Sequence, residues 1–376
     1  MLQLVDLLVR FHNMFLRHQP SPIDWQAYRR AIESVEGNSG FQGPAYLSVS
    51  PARCATTWLF EELRRTASLR VADVKETNYF SYGYLGGSYS RYFPNLLPGE
   101  ITGDISPTHA FLPRRAIEQI TQVHRKLRIL IVLREPVARV WSHMLFDLLR
   151  DSCYNVPRSE IASIPENVLL PLIAFYDSQC RYDVLLRHWF ENHPPELIHV
   201  EWFDNIAAAP EVALRNILAF LGTSENPEII RDRVNTVDSS ALVMPPRVAA
   251  YLNELHAYRM PDLNRLVSSL AGLELPAAWH KPMPAIALEP VAILKKFHGY
   301  DIYYHAGAYH RVPAGGVLSS AVVSGSGFFE ALPFENFDYQ SVLERLMSWL
   351  MAEHRRSMPA SDSRVDPPIS TTARYD

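Results

Sequence analysis

Two stretches of this 376-residue chain gather groups able to hold an anion. The first, Pro51-Ala52-Arg53-Cys54-Ala55-Thr56-Thr57-Trp58-Leu59, is a turn of small residues that runs into a helical pattern. Such a turn offers backbone N–H groups and the positive end of a helix dipole to a phosphate or sulfate. Thr56 and Thr57 add hydroxyl donors, and Arg53 adds a permanent two-pronged cation. The second stretch, Leu133-Arg134-Glu135-Pro136-Val137-Ala138-Arg139-Val140-Trp141-Ser142, puts Arg134 just after a strand-like run. Ser142 follows about one and a half turns into the next helix, so both groups come within reach of one phosphate. Arg139 reads as a member of a helix-surface ion pair rather than as an anion ligand.

These groups need elements to hold them. Ala45-Tyr46-Leu47-Ser48-Val49-Ser50 is a short β-prone run before the first turn, and Trp58-Leu59-Phe60-Glu61-Glu62-Leu63 is helical after it. Ile129-Leu130-Ile131-Val132-Leu133 has no polar alternation, as expected of a central parallel strand covered on both faces, and a helix begins near Val137. A third unit pairs the strand Glu196-Leu197-Ile198-His199-Val200 with a helix from Pro210 to Leu221, stopped by Gly222. Repeated strand-to-helix units imply an α/β fold with a mostly parallel sheet. Beyond about residue 285, Tyr300 to Tyr304 and Ala308 to Pro313 suggest a hairpin around His305-Ala306-Gly307, with a helix near Tyr339 to His354.

Composition limits what else the chain does. With 48% apolar residues it can bury a large core. Its 36 basic against 40 acidic side chains give a net charge of −4, so no global basic field recruits nucleic acid or anionic membrane. Cys54, Cys153 and Cys180 are odd in number and lack paired metal-ligand spacing, which argues against a disulfide framework and a zinc site and fits a reducing cytoplasm. The N-terminal MLQLVDLLVRFHNMFLRH carries Asp6 and Arg10 inside its apolar stretch and has no small-residue cleavage site. It reads as an amphipathic docking helix, with Leu2, Leu4, Leu7, Leu8, Phe11 and Phe15 in one stripe, rather than as a signal peptide or membrane span.

Taken together, the two anion stretches resemble the PAPS-dependent sulfotransferases (PAPS is 3′-phosphoadenosine 5′-phosphosulfate), in particular the bacterial and heparan-sulfate-type members. Arg53 to Leu59 is similar to the family's 5′-phosphosulfate loop Lys-x-Gly-Thr-Thr-x-Leu, with Arg for Lys and Ala55 for Gly. Ala55 therefore leads to the expectation that the loop avoids left-handed backbone angles there. Arg134, Pro136, Arg139 and Ser142 match every fixed position of the 3′-phosphate loop Arg-x-Pro-x-x-Arg-x-x-Ser. Gly103-Asp104-Ile105-Ser106-Pro107 resembles the Gly-Glu-x-Ser/Thr-Pro strand end, and Val200-Glu201-Trp202-Phe203-Asp204 a downstream Tyr-Glu-Asp-Leu segment.

The resemblance implies a P-loop-like three-layer α/β/α domain over residues 44–285. A helical extension at 1–43 would precede it, and a small β/α appendage at 286–356 and a disordered polar tail at 357–376 would follow. It implies that Arg53, Cys54, Ala55, Thr56, Thr57 and Trp58 surround the 5′ end of the nucleotide, that Arg134 and Ser142 bind its 3′-phosphate, and that PAP is the product. Trp58 reads equally as an adenine stack or as core. Cys54 has a setting that lowers a thiol pKa, with no nucleophilic role assigned. No metal is expected, since sulfuryl transfer needs no Mg²⁺ carboxylate.

An acceptor hydroxyl needs a base to take its proton as it attacks sulfur. Lys75-Glu76-Thr77-Asn78-Tyr79-Phe80 resembles the family's Glu-x-His-Phe-Phe segment, which makes Glu76 the first candidate base and Lys75 a charge partner at the sulfuryl group. His109, in Pro107-Thr108-His109, loosely resembles the Lys-Thr-His segment of small-molecule sulfotransferases and is the rival base. The aromatic, Gly-rich stretch from Tyr79 to Tyr92 is expected to gate the acceptor, a glycan or small molecule, and Asn235 to Pro246 to form a lid. Leu252 to Leu266 resembles the family's final helix pair. A homo-oligomer would use the N-terminal helix or the C-terminal appendage. Two other readings stay open: a P-loop kinase or NTPase, although the GxxxxGK[ST] spacing is missing, and a non-catalytic PAPS-binding protein.

Overall fold

The computed structural model describes residues 23, 25–33, 43–82, 89–94, 96–97, 99–149, 157–225, 242–283, 288–297, 300–306, 308–313, 315 and 328–329. The Leu2 to Phe15 stripe, Cys153, most of the Asn235 to Pro246 segment, the Tyr339 to His354 helix and the tail from 357 lie outside the described residues.

Helix α1 (Trp25–Glu33) precedes β1 (Tyr46–Ser48), α2 (Thr56–Arg64), β2 (Leu69–Val71), β3 (Ile101–Ile105), α3 (Arg114–Val123) and β4 (Arg128–Leu133). Then come α4 (Pro136–Leu149), α5 (Glu166–Ser178), α6 (Tyr182–Asn192), β5 (Ile198–Trp202), α7 (Pro210–Leu221) and α8 (Pro246–Ala271). The five strands form one sheet in the order β2-β3-β1-β4-β5, and every neighbouring pair is parallel.

The apolar run in β4 explains the layering. Its residues from Ile129 to Leu133 are all buried, and alternate ones point to opposite faces of the sheet. Leu130 and Val132 pack with Leu59 and Leu63 of α2 and with Leu214, Ile217 and Leu221 of α7. Ile129, Ile131 and Leu133 pack with Ile120 of α3, Leu186 and Trp189 of α6 and Leu263 of α8. The result is the expected three-layer α/β arrangement. Gly103 in β3 lets the fully buried Tyr46 ring lie across it, since a Cβ there would come within 1.9 Å of that ring.

Two boundaries differ from expectation. Strand β5 begins at Ile198 rather than Glu196, because Pro194 and Pro195 start a 3-10 turn ending at Leu197, whose N–H donates to the Pro194 carbonyl at 3.0 Å. Instead of a helix pair, the Leu252 to Leu266 pattern lies on the single 26-residue helix α8, which carries Pro261 in its interior. Helix α7 stops where the sequence indicates, with Gly222 in the left-handed region at φ 85°.

The expected hairpin forms the middle of a larger antiparallel sheet, β6 (Val291–Phe297), β7 (Tyr300–His305), β8 (Ala308–Pro313) and β9 (Phe328–Phe329). Strand β6 goes unread because its short apolar run fits a helix segment as well as a strand. Val291 and Tyr304 share a core with Met144 of α4, Ile173 of α5 and Tyr251 of α8. Among the described residues, no helix is long and apolar enough to cross a membrane.

Candidate functional site

The chain leaves β1 for β2 and β3 on one side and crosses to β4 and β5 on the other. This makes the carboxyl end of β1 a topological switch point, where open α/β sheets leave a crevice for ligands. Because the strands are parallel, the segments after β1, β2, β3 and β4 all emerge along that edge. They carry Arg53, Glu76, His109 and Arg134 respectively.

The turn after β1 has a left-handed shape at two residues that are not glycine, Arg53 at φ 68° and Ala55 at φ 58°, ψ 21°. This corrects the expectation drawn from Ala55: the loop keeps the shape that glycine would favour and accepts a cost of about 1–2 kcal/mol for an L-residue. Several bonds hold it. Arg139 Nη1 donates to the Ala52 carbonyl at 3.0 Å, Arg134 Nη1 to the Arg53 carbonyl at 3.2 Å, and the Cys54 N–H to the Pro51 carbonyl at 3.3 Å. Ala55 gives α2 no side-chain cap, so the positive end of the helix opens onto the turn. Thr56 is buried and Thr57 half-buried in its first turn.

Three of the expected anion-binding side chains meet here. Arg53 Nε donates to Ser142 Oγ at 3.2 Å, and its guanidinium lies 4.2 Å from the Phe146 ring centre. Arg134 stacks its guanidinium over Phe203 at 4.5 Å, while its own carbonyl accepts from the Tyr182 hydroxyl at 2.9 Å. Glu135 caps α4 by accepting the Ala138 N–H at 2.6 Å and lies 3.4 Å from Lys281 Nζ.

Arg139 is not on the helix surface. It is fully buried, and besides Ala52 it donates to the Tyr176 carbonyl at 3.0 Å and to Cys180 Sγ at 3.1 Å. Cys54 is also fully buried, and burial raises its thiol pKa, outweighing the lowering by Arg139 and Arg134. That reverses the direction expected from its place at a helix N-terminus. Trp58 packs with Leu59, Leu63 and Leu218.

On the segment after β2, Lys75 and Glu76 form an ion pair with each other, Glu76 being the more exposed. Glu76 and Asn78 both have left-handed backbone, at φ 65° and 53°. The anchor beneath them is Asp104, fully buried at the end of β3. Thr77 donates to it, as do the Tyr89 hydroxyl at 3.0 Å and the Ser106 hydroxyl at 2.8 Å. Ser106 Oγ accepts the Asn78 N–H at 3.0 Å, and Thr108 donates to Asn78 Oδ1 at 2.7 Å.

His109 has no exposed surface, neither ring nitrogen has a hydrogen-bond partner among the described residues, and burial lowers its pKa. Tyr79, Phe80, Tyr89 and Tyr92, expected at an acceptor gate, are core residues. Tyr79 and Tyr89 stack at 4.6 Å, and Tyr28 of α1 meets Phe80 edge-on at 5.7 Å. The Gly-rich middle of that stretch lies outside the described residues. Among the described residues, no group of three or more His, Cys, Asp or Glu is arranged to hold a metal ion.

Sequence reasoning missed the parts played by Asp104 and Arg139. The only signal for Asp104 was an acid beside Ser106 at a strand end, and the signal for Arg139 was a fixed basic position on a helix otherwise rich in buried residues.

Neither protein-family models nor curated proteins gave a match to the chain. Solved structures similar to it include a sulfotransferase from Alicyclobacillus acidocaldarius, at 22% identity over 63% of this chain and 98% of that one, with a TM-score of 0.48. Mouse sulfotransferase SULT7A1 complexed with PAP is similar at 15% identity over 61% and 88%, TM-score 0.37. The sulfotransferase domain from the curacin biosynthetic pathway is similar at 15% over 62% and 99%, TM-score 0.36.

Proposed function

We infer that the chain is a PAPS-dependent sulfotransferase that sulfates a hydroxyl or amine of a carbohydrate or small-molecule acceptor and releases PAP. The observation that carries the reading is the meeting of Arg53, Arg134 and Ser142 around the turn after β1, at the switch point of a parallel sheet. A cluster of guanidinium groups at a helix N-terminus suits a ligand with two separated anionic ends.

In this reading Arg53, Thr56, Thr57 and the first turn of α2 hold the 5′-phosphosulfate, and Arg134 and Ser142 the 3′-phosphate. PAPS, when bound, supplies the transferable sulfuryl group. Glu76 takes the acceptor proton as the acceptor oxygen or nitrogen bonds to sulfur. The bond from sulfur to the bridging oxygen breaks, its electron pair stays on the 5′-phosphate, and Arg53 stabilises the charge that develops there. Thr77 and Asn78 bond to Asp104 and Ser106 at the end of β3, and β3 pairs directly with β1, so the segment that carries Glu76 is seated at the strand beside the anion turn. The buried free thiols of Cys54 and Cys180 support a reducing, cytoplasmic setting.

Thermal shift with PAP against Mg-ATP tests the donor, and transfer from radiolabelled PAPS tests the chemistry. Stabilisation by PAP but not Mg-ATP is expected. Glu76→Gln should keep PAP binding and lose turnover by roughly 100-fold or more. Stabilisation by Mg-ATP alone would put the kinase or NTPase reading in its place, and tight PAP binding without transfer to any acceptor would favour the non-catalytic one.

A further inference from the structure

The anion turn holds Arg53 and Ala55 in left-handed backbone without the help of glycine. A shape of that kind persists only where surrounding contacts over-determine it. Two guanidinium groups supply such contacts, Arg134 on the Arg53 carbonyl and Arg139 on the Ala52 carbonyl. Arg134 is already explained as a ligand for the nucleotide. Arg139 is not, because it has no exposed surface.

Among the described residues, the acceptors around Arg139 are uncharged: the carbonyls of Ala52 and Tyr176 and the sulfur of Cys180. Burying a guanidinium among neutral acceptors is costly, and an apolar side chain of similar volume often packs as well or better. Packing alone therefore gives no reason for an arginine here. Its geometry does, because a planar fork can hold two carbonyls from different elements at fixed angles. In a planar trans peptide the C=O and the following N–H point in opposite directions. Fixing the Ala52 carbonyl therefore fixes the direction of the Arg53 N–H in the anion turn.

The far side of the fork is itself firmly seated. Tyr176 and Cys180 flank Asp177 at the end of α5, and Asp177 accepts from Arg259 Nη1 at 2.8 Å and lies 2.8 Å from His256 Nε2, both on α8.

We propose that Arg139 is a positioning residue of the anion site: by gripping the Ala52 carbonyl from a seat on α5 it imposes the left-handed shape of the turn, and so sets the affinity for PAP without touching it. The inference rests on the PAPS reading above.

The test is a titration of PAP into the wild type, Arg139→Lys, Arg139→Met, Ala55→Gly and the double variant Arg139→Lys/Ala55→Gly, each checked for native circular dichroism. Arg139→Lys and Arg139→Met should bind roughly 10- to 100-fold more weakly. Glycine adopts the left-handed shape without help, so the loss caused by Arg139→Lys should shrink at least about threefold in the Ala55→Gly background, a coupling that a double-mutant cycle reads directly. A merely structural arginine gives the opposite pattern: lowered stability, unchanged PAP affinity in the folded fraction and additive variants. That outcome overturns the proposal. Should the Arg139 variants not fold, Cys180→Ala, which loosens the seat, replaces them, and unchanged affinity there counts against the proposal equally. A wild type that does not bind PAP removes the PAPS reading. Inorganic pyrophosphate then becomes the probe for the same variants, and variants that bind it as the wild type does overturn the role of Arg139.

Discussion

Arg53 Nε donates to Ser142 Oγ at 3.2 Å, tying the turn after β1 to the second turn of the helix after β4. The residue expected at one end of the nucleotide thus touches the residue expected at the other. An incoming anion must exchange with this bond rather than meet two idle groups. Ser142→Ala should weaken PAP about tenfold, and Arg53→Ala by more, since it removes a charge as well. Calorimetric titration measures both, and equal affinities for Ser142→Ala and the wild type would show that the hydroxyl is not a ligand.

The left-handed alanine predicts a stabilising substitution. Ala55→Gly relieves the clash that an L-residue has at φ 58°, offset in part by the greater freedom of glycine in the unfolded chain. A gain of about 0.5–1 kcal/mol is expected from urea unfolding. A loss would mean that the turn relaxes in solution to a shape alanine prefers.

Asp104 and Glu76 should separate stability from chemistry. Asp104→Ala leaves Thr77, Tyr89 and Ser106 without their common acceptor in a buried place and should cost about 2–4 kcal/mol. Glu76→Gln breaks only an exposed ion pair with Lys75 and should stay within about 1 kcal/mol of the wild type. Chemical denaturation of the two variants checks the contrast, and a large loss for Glu76→Gln contradicts it.

Acid should destabilise the fold before its carboxylates titrate. Burial holds His124 down at about 4 and also lowers His109, His143 and His193. The folded protein keeps these rings neutral while the unfolded chain takes up protons near pH 6.5. Stability is therefore full above that pH and declines as it falls toward 4, where His124 itself becomes charged. For His124 the loss is on the order of 3 kcal/mol across the window. Asp177 does not add to it: burial would raise its pKa, but Arg259 and His256 hold it well below the usual carboxylate range, so its contribution is lost only at lower pH. Urea midpoints measured from pH 7.5 to 4.5 should fall, and His124→Gln should flatten the slope. An unchanged slope would assign the effect elsewhere.

Strands β1, β4 and β5 could be read in the sequence because their patterns are local, while β2, a run of three residues, carries no pattern to read. The apolar run of β4 is short and rich in β-branched residues, which favours a doubly covered strand, and Gly222 marks the end of α7 with the one residue that enters the left-handed region freely. The turn after β1 and the helix after β4 were legible for the same reason, since a turn and the helix after it are neighbours in the chain. Arg139 was not, because its seat at Tyr176 and Cys180 is brought to it by the packing of α5, about 40 residues downstream. Asp104 depends likewise on hydroxyls from Thr77 and Tyr89, on other segments. The shape of the turn was misread since propensity at Ala55 speaks against a conformation that contacts from elsewhere impose.

A turn made of arginine and alanine in left-handed backbone differs from a glycine turn in when its ordering is settled. Glycine would leave the loop many shapes to lose as a ligand arrives. Here folding has already removed them, so less entropy opposes association. PAP binding should accordingly carry a smaller unfavourable entropy in the wild type than in Ala55→Gly, even where the two affinities are close.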